Sequence, residues 1–362
     1  MDKDPVAGSA KQVGRGPMNA KLALIITLSL AIVSAAAASP DVKAINDAQW
    51  TSGVERDKNL QHVLIKAQIM LGRARFSPGE IDGKLGDNFK KALSAFAIES
   101  GLPDTSELNA DVWQKLEVIS ADPVLKEYTI SEADVRGPFV EKLPAKMEEM
   151  KEFPALAYRS PREKIAEKFH MSEELLTALN PERNFNQAGE KVFVVDPGPD
   201  ALGAKVARIE VDKTKQILRA FDRKEKLIAF YPITAGSEAT PAPIGRLRIT
   251  RVSKNPTYRY NPAYAFKGVK ATQPFTIKPG PNNPVGLVWI ALSRKGYGIH
   301  GTPEPSKISK NESHGCIRMT NWDALQLASV VVKGTLVDFS GDEGQRPEVK
   351  RPKRNRKGSA KQ

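Results

Sequence analysis

One cysteine and four histidines are all that the 362 residues offer to thiol and imidazole chemistry. With a single thiol, Cys316, an internal disulfide is impossible, and iron–sulfur clusters and all-cysteine zinc sites are excluded by count. A lone thiol is then an intermolecular bridge, a buried small hydrophobe or a reactive group. Long apolar runs are lacking too, with one exception. Residues 22–38 carry no charge, follow Lys21 and fade into Ser34-Ala35-Ala36-Ala37-Ala38-Ser39. Ala36-x-Ala38 fits the small-residue cleavage site of a secretory signal, so residues 1–38 are expected to be a signal peptide. The polar residues before Met18 are unlike a signal n-region, which makes Met18 an alternative start. An uncleaved anchor is the other reading, since the run nearly reaches spanning length. Both readings export the chain.

Acidic residues are scarce in one half only. Residues 39–202 hold 21 basic and 28 acidic residues, a net of −7. Residues 203–340 hold 22 basic and 9 acidic, a net of +13, and residues 341–362 add 8 basic and 3 acidic, a net of +5. Such a field favours an anionic partner: a nucleic acid, an anionic envelope polymer or a carboxylate-rich substrate. Export sets nucleic acid aside.

Hydrophobic periodicity divides the rest of the chain. Residues 62–71 and 89–99 have helical spacing, and between them lies Pro78-Gly79-Glu80-Ile81-Asp82-Gly83-Lys84-Leu85-Gly86, a glycine-rich turn. Residues 158–195 read as strand, helix, helix, strand, with Ser172 as a helix cap and Asn180-Pro181 as a stop. Beyond residue 204 the pattern is β-rich, with strands expected at 208–212, 216–221, 227–234 and 335–339 and a short helix capped by Asn321. Residues 255–284 are rich in Pro, Tyr, Asn and Gly without a period, as in a lid over a site. Residues 341–362 lack apolar residues for a core and are expected to be a disordered basic tail. The fold class is therefore multidomain α+β, comprising a small helical domain, a short βααβ module and a β-rich domain.

Two of the four histidines flank the cysteine, in Tyr297-Gly298-Ile299-His300-Gly301-Thr302 and Ser313-His314-Gly315-Cys316-Ile317-Arg318-Met319. Cysteine nucleophiles act as thiolates, which an adjacent imidazole or cation generates or stabilises. His300 and Arg318 are available for those roles. Gly315 permits a sharp turn that leaves backbone N–H groups free to hold an oxyanion.

These residues resemble the motif of the L,D-transpeptidase (YkuD-like) family, which pairs an upstream His with a downstream Ser-His-Gly-Cys. Arg318 stands where members carry Arg or Asn. Thr240-Pro241-Ala242-Pro243-Ile244-Gly245 and Asn283-Pro284-Val285-Gly286 with Trp289 match further landmarks, at spacings on the short side. The resemblance covers about residues 208–339. Earlier in the chain, Asp82-Gly83 and Gly101-Leu102-Pro103, closed by Trp113 and Leu116, resemble a helical peptidoglycan-binding domain. Residues 158–195 resemble a LysM-type glycan-binding module. A generic helical bundle and a helical hairpin linker are the alternatives for those two regions.

The resemblance implies domains at 60–117, 156–197 and 204–340. It also implies a periplasmic or wall-associated enzyme that needs no cofactor and acts on peptidoglycan stem peptides and glycan. Cys316 would attack the carbonyl of the third stem residue, release the terminal D-alanine, and pass the acyl group from its thioester to a second stem, giving a 3→3 cross-link. His300 would be the base, oriented by the Gly301 carbonyl, while Ser313, His314 and Gly315 shape the turn. Arg318 and Tyr297 would contact substrate, and anionic envelope polymers would meet the basic tail. Transfer to water or to a protein lysine, a non-catalytic wall-binding protein, and zinc ligation by His300, His314 and Cys316 are the competing readings. Trp289 and Trp322 are read as core residues.

Overall fold

The structure, a computed structural model, describes residues 41–53, 59–120, 123–237, 240–264, 269–310 and 315–341. The expected signal peptide, the basic tail beyond Gly341, and Ser313 and His314 lie outside the described residues. No helix among the described residues is long and apolar enough to cross a membrane.

Helices α1 (Val42–Asn46), α2 (Leu60–Arg73), α3 (Asp87–Glu99) and α4 (Ala110–Ile119) come first among the described residues. α2 is buried all round from Val63 to Leu71 and is the axis on which the others pack. That burial includes Lys66, whose ammonium donates to the carbonyls of Asn46 (2.9 Å) and Ala48 (3.0 Å). Gln68 fixes the Asp82-Gly83 turn, accepting from both backbone N–H groups at 3.0 and 2.8 Å. Gly83 sits at φ +68°, and a Cβ there would lie 2.7 Å from Ile65, so only glycine fits.

Next come β1 (Leu125–Thr129), α5 (Glu132–Val135), a 3₁₀ turn at Met147–Glu152, α6 (Pro161–Lys168), α7 (Glu173–Leu179) and β2 (Lys191–Val195). Ser160 and Ser172 cap α6 and α7 by accepting from Glu163 N and Leu175 N. The strand expected near Tyr158 is absent. The antiparallel partner of β2 is β1, paired from Leu125↔Val195 to Thr129↔Lys191. A long insertion separates β1 from its helices, which hides the strand–helix–helix–strand order from a local reading.

The C-terminal part comprises β3 (Arg208–Asp212), β4 (Ile217–Phe221), β5 (Leu227–Pro232), β6 (Thr234–Ala235), β7 (Gly245–Lys254), β8 (Tyr258–Tyr260), β9 (Phe275–Ile277), β10 (Val288–Leu292), β11 (Gly298–His300), β12 (Ile317–Arg318), α8 (Asn321–Val330) and β13 (Leu336–Ser340). Nine of these strands form one sheet in the order β5-β4-β3-β13-β7-β10-β11-β12-β6. The pairs β3·β13 and β11·β12 are parallel and the others antiparallel. The segment read as an aperiodic lid contains the antiparallel hairpin β8·β9. α8 is capped by Thr320, whose hydroxyl accepts from Asp323 N at 3.2 Å, and not by Asn321, which is the first helical residue.

Two apolar cores result. One is enclosed by the sheet and α8. The other runs without a break through α1 to α4, β1, α6, α7 and β2, so the expected helical domain and βααβ module do not have separate interiors. Ile217 and Phe230 of the sheet belong to this second core, and Phe230 stacks on Phe76 at 6.3 Å. The N-terminal elements are thereby fastened to the outside of β4 and β5.

Candidate active site

β11 and β12 run parallel, with Ile299 opposite Ile317 and His300 opposite Arg318. Partners in register project to the same face, so the pairing brings an upstream histidine beside the segment that carries the cysteine. Cys316 immediately precedes β12. His300, Cys316 and Arg318 all line one cleft of about 860 Å³, together with Tyr297 and Trp289. Gly315 adopts φ +95°, a conformation that side chains disfavour, and a Cβ there would lie 3.1 Å from the Tyr297 ring.

His300 is 4% exposed. Its Nδ1 lies 2.6 Å from the Gly301 carbonyl oxygen, and a carbonyl can only accept, so Nδ1 carries the proton and Nε2 presents a lone pair. Burial and the Arg318 charge push the His300 pKa down to about 3, against the pull of the Gly301 carbonyl. The imidazole is therefore neutral at working pH. Its ring stacks on Trp289, centroids 5.6 Å apart, and the two residues are cross-strand partners in β10·β11. Gly298 makes room for this indole, because a Cβ there would approach the ring to 2.6 Å.

The Cys316 thiol donates to the Gly296 carbonyl at 3.6 Å. Burial pushes its pKa up to about 11, partly offset by the Gly298 N–H and the Arg318 charge. The resting pair is thus a neutral imidazole and a protonated thiol. Arg318 Nε is buried with no hydrogen-bond partner among the described residues, an arrangement that suits a guanidinium awaiting an anion.

Sequence reasoning missed much of the wall. Arg251 and Lys254 on β7, Arg259 on β8 and Lys295 join Arg318 around the cleft, and no carboxylate is among the described residues that line it. The basic spacing along β7 was visible, but the pairing that turns it toward the cleft was not. Trp289, read as core, lines the cleft. Trp322 is buried as expected and stacks on His170 at 5.4 Å. Met147, from the insertion between β1 and α6, also reaches the cleft. Among the described residues, no group of three or more His, Cys, Asp or Glu side chains is placed to hold a metal ion.

Residues 206–339 match the family described as L,D-transpeptidase catalytic domain (YkuD). The protein named L,D-transpeptidase YkuD in Bacillus licheniformis is 33% identical over 181 residues, which are 49% of this chain and 92% of that protein. The chain belongs to the L,D-transpeptidase family. The Escherichia coli L,D-transpeptidase YbiS is 28% identical over 134 residues, 36% of this chain and 44% of that one. A crystal structure of an Enterococcus faecium L,D-transpeptidase aligns at 22% identity and a TM-score of 0.29, over 38% of this chain and half of that chain. As an L,D-transpeptidase the chain is an acyltransferase, and the cleft that joins His300 to Cys316 is its candidate active site.

Proposed function

We propose that this L,D-transpeptidase is exported and acts on peptidoglycan, joining stem peptides by 3→3 cross-links through a thioester on Cys316. The observation that carries the proposal is the cleft. It pairs a thiol with a neutral imidazole whose Nε2 is unprotonated, inside a wall whose described residues include five cations and no carboxylate. A tetrapeptide stem bears free carboxylates, which such a wall attracts and orients.

His300 Nε2 takes the thiol proton as Sγ adds to the carbonyl carbon of the third stem residue. Backbone N–H groups of Gly315 and Cys316 are the candidates to hold the resulting oxyanion. Collapse breaks the amide bond, and the departing D-alanine amine takes the proton from His300. A second stem's side-chain amine then gives a proton to His300 and attacks the thioester, restoring the thiol. Arg318 and Tyr297 contact the donor stem. Because burial keeps the resting thiol protonated, proton transfer belongs to the attack and not to the free enzyme.

The N-terminal elements are read as wall-binding modules. The β1-α6-α7-β2 order with its antiparallel strand pair supports a LysM-like module, and the Asp82-Gly83 turn between α2 and α3 supports a peptidoglycan-binding-like domain. The deciding experiment is mass spectrometry of the products formed from a disaccharide-tetrapeptide. Cross-linked dimers lacking one D-alanine are expected. Free tripeptide alone would reassign the enzyme as a carboxypeptidase, and no product would reject the catalytic reading.

A further inference from the structure

The geometry points to Asn321, held in place by Glu167 of α6, as the residue that positions the His300 imidazole from behind. The inference rests on the reading of His300 as the base. Asn321 opens α8 without capping it, so its amide is free for other work. Its Oδ1 accepts from Leu287 N at 3.1 Å, and its Nδ2 donates to Pro281 O at 3.2 Å. The same Nδ2 donates to Glu167 Oε2 at 3.0 Å. Asn321 is 2% exposed and Glu167 8% exposed, so these bonds form away from water, where an unmade partner is costly.

Two glycines show how tightly the amide is wedged. A Cβ at Gly301 would stand 2.2 Å from Asn321 Oδ1, and one at Gly286 would stand 2.1 Å from the same atom. Asn321 therefore lies directly against the backbone of Gly301, whose carbonyl takes the His300 Nδ1 proton. That carbonyl does the orienting work a carboxylate does in other cysteine and serine triads. A peptide carbonyl, unlike a carboxylate side chain, has no rotamer of its own, so its direction is set by what holds its peptide plane. Here the holding groups are Asn321 and Gly286, which packs so close to the Gly301–Thr302 peptide that a Cβ on it would lie 2.7 Å from Gly301 C and 2.8 Å from Thr302 N. Glu167 completes the brace from an element outside residues 206–339. Glu167 is also the point at which the N-terminal elements touch the catalytic apparatus from behind, while their insertion borders it in front.

The test uses the full chain with two readouts: D-alanine release from a disaccharide-tetrapeptide, and the Nδ1 proton resonance of His300. At about pH 9, above the value of about 8 to which burial pushes Glu167, Asn321→Asp replaces the donor with an oxygen facing an ionised Glu167, and is expected to lower kcat by roughly tenfold or more with KM nearly unchanged. Glu167→Gln keeps an acceptor for Nδ2 and should stay within about twofold of the parent. The double variant Glu167→Gln with Asn321→Asp restores a donor–acceptor pair in the reverse sense and should recover part of the lost kcat. The Nδ1 proton resonance of His300, seen downfield in the parent, should weaken in Asn321→Asp and return in the double variant. Full activity in a folded Asn321→Asp, or no recovery in the double variant, would overturn the brace. His300→Ala separates the two levels: if it still turns over at the parental rate, the base reading fails, whereas its inactivity with an active Asn321→Asp condemns only the brace. Should Asn321→Asp not fold, Glu167→Ala is measured in its place, and parental kcat in that variant is the overturning result.

Discussion

At the scale of residues, the two candidate chemical groups are poised by burial in opposite directions. The His300 imidazole is pushed down to about 3 and the Cys316 thiol up to about 11, so neither is charged in the resting enzyme. A thiol held so high is only slightly ionised near neutrality, and each unit of added pH should raise its alkylation rate about tenfold. In the parent, then, alkylation should climb without a plateau through about pH 9, which a free thiol would already have passed. Arg318 lowers the thiol's pKa, so Arg318→Gln should move the midpoint higher still and slow alkylation at about pH 9 by about threefold or more. Faster alkylation in that variant would mean that Arg318 is turned away from the sulfur. Cys316→Ala should abolish turnover while leaving the fold intact, since a small side chain replaces a small side chain.

Among elements, the insertion between β1 and α6 has a role its sequence did not announce. Its 3₁₀ turn places Met147 in the cleft wall, and Glu148 Oε1 accepts from Lys270 N at 2.6 Å and Ala271 N at 3.2 Å. Further on, Leu156 N donates to Pro279 O at 2.9 Å, and Asn282 N donates to Leu156 O at the same distance. The segment leading into and out of β9 is thus held from outside by residues far upstream. Glu148→Ala should loosen that hold. A rise in KM of about threefold or more, with kcat little changed, is expected, because β8 brings Tyr258 and Arg259 to the cleft wall but no candidate nucleophile or base. Limited proteolysis should become faster between β8 and β9, and unchanged cleavage together with unchanged KM would show that the other contacts suffice.

For the whole molecule, the joint between the N-terminal core and the sheet is lined with the buried carboxyl groups of Glu167 and Asp323 and the half-buried one of Glu80. Glu80 is pushed up to about 7 by burial and then by neighbouring carboxylates, and Glu167 to about 8 by burial, against the pull of the Asn321 amide and with a further push from Glu163 and Glu80. Asp323 is pushed up to about 7 by burial, although it accepts from Ser77 Oγ across the joint at 2.9 Å. An unfolded chain releases these protons near about pH 4, so between there and neutrality the folded state holds three extra protons. Two histidines act the other way. His170 is pushed down to about 4 and His300 to about 3, so below their unfolded value near 6.5 the folded state lacks two protons. The balance is that stability falls as pH rises from about 4.5 to about 8, most steeply just below 7, where the histidines no longer compensate. Thermal unfolding followed from about pH 5 to about pH 8.5 should show a falling Tm, with roughly 2–4 °C lost for each kcal/mol. Glu167→Gln should flatten the upper part of that curve, and a Tm that rises with pH would contradict the buried state of these groups.

What the sequence determined by itself is the part written locally. Helix periodicity marked α2 and α3, hairpin turns marked β3 to β5, and the Ser-His-Gly-Cys run with its upstream histidine pointed to the family through residue types and spacing. The Gly301 carbonyl was within reach of that reading because it is adjacent to His300. Only the tertiary structure decided the rest, and each case involves partners distant in the chain. β1 lies 62 residues or more before the strand it pairs with, so the module's first strand was sought in the wrong place. Trp289 passes for core until the β10·β11 register sets it against His300 at the cleft. Asn321 looks like a helix cap from its position, yet Thr320 takes that bond and leaves the amide to meet Glu167, 154 residues away. Local spacing encodes backbone conformation and motif chemistry, whereas the contacts that aim a side chain depend on which distant surfaces burial brings together.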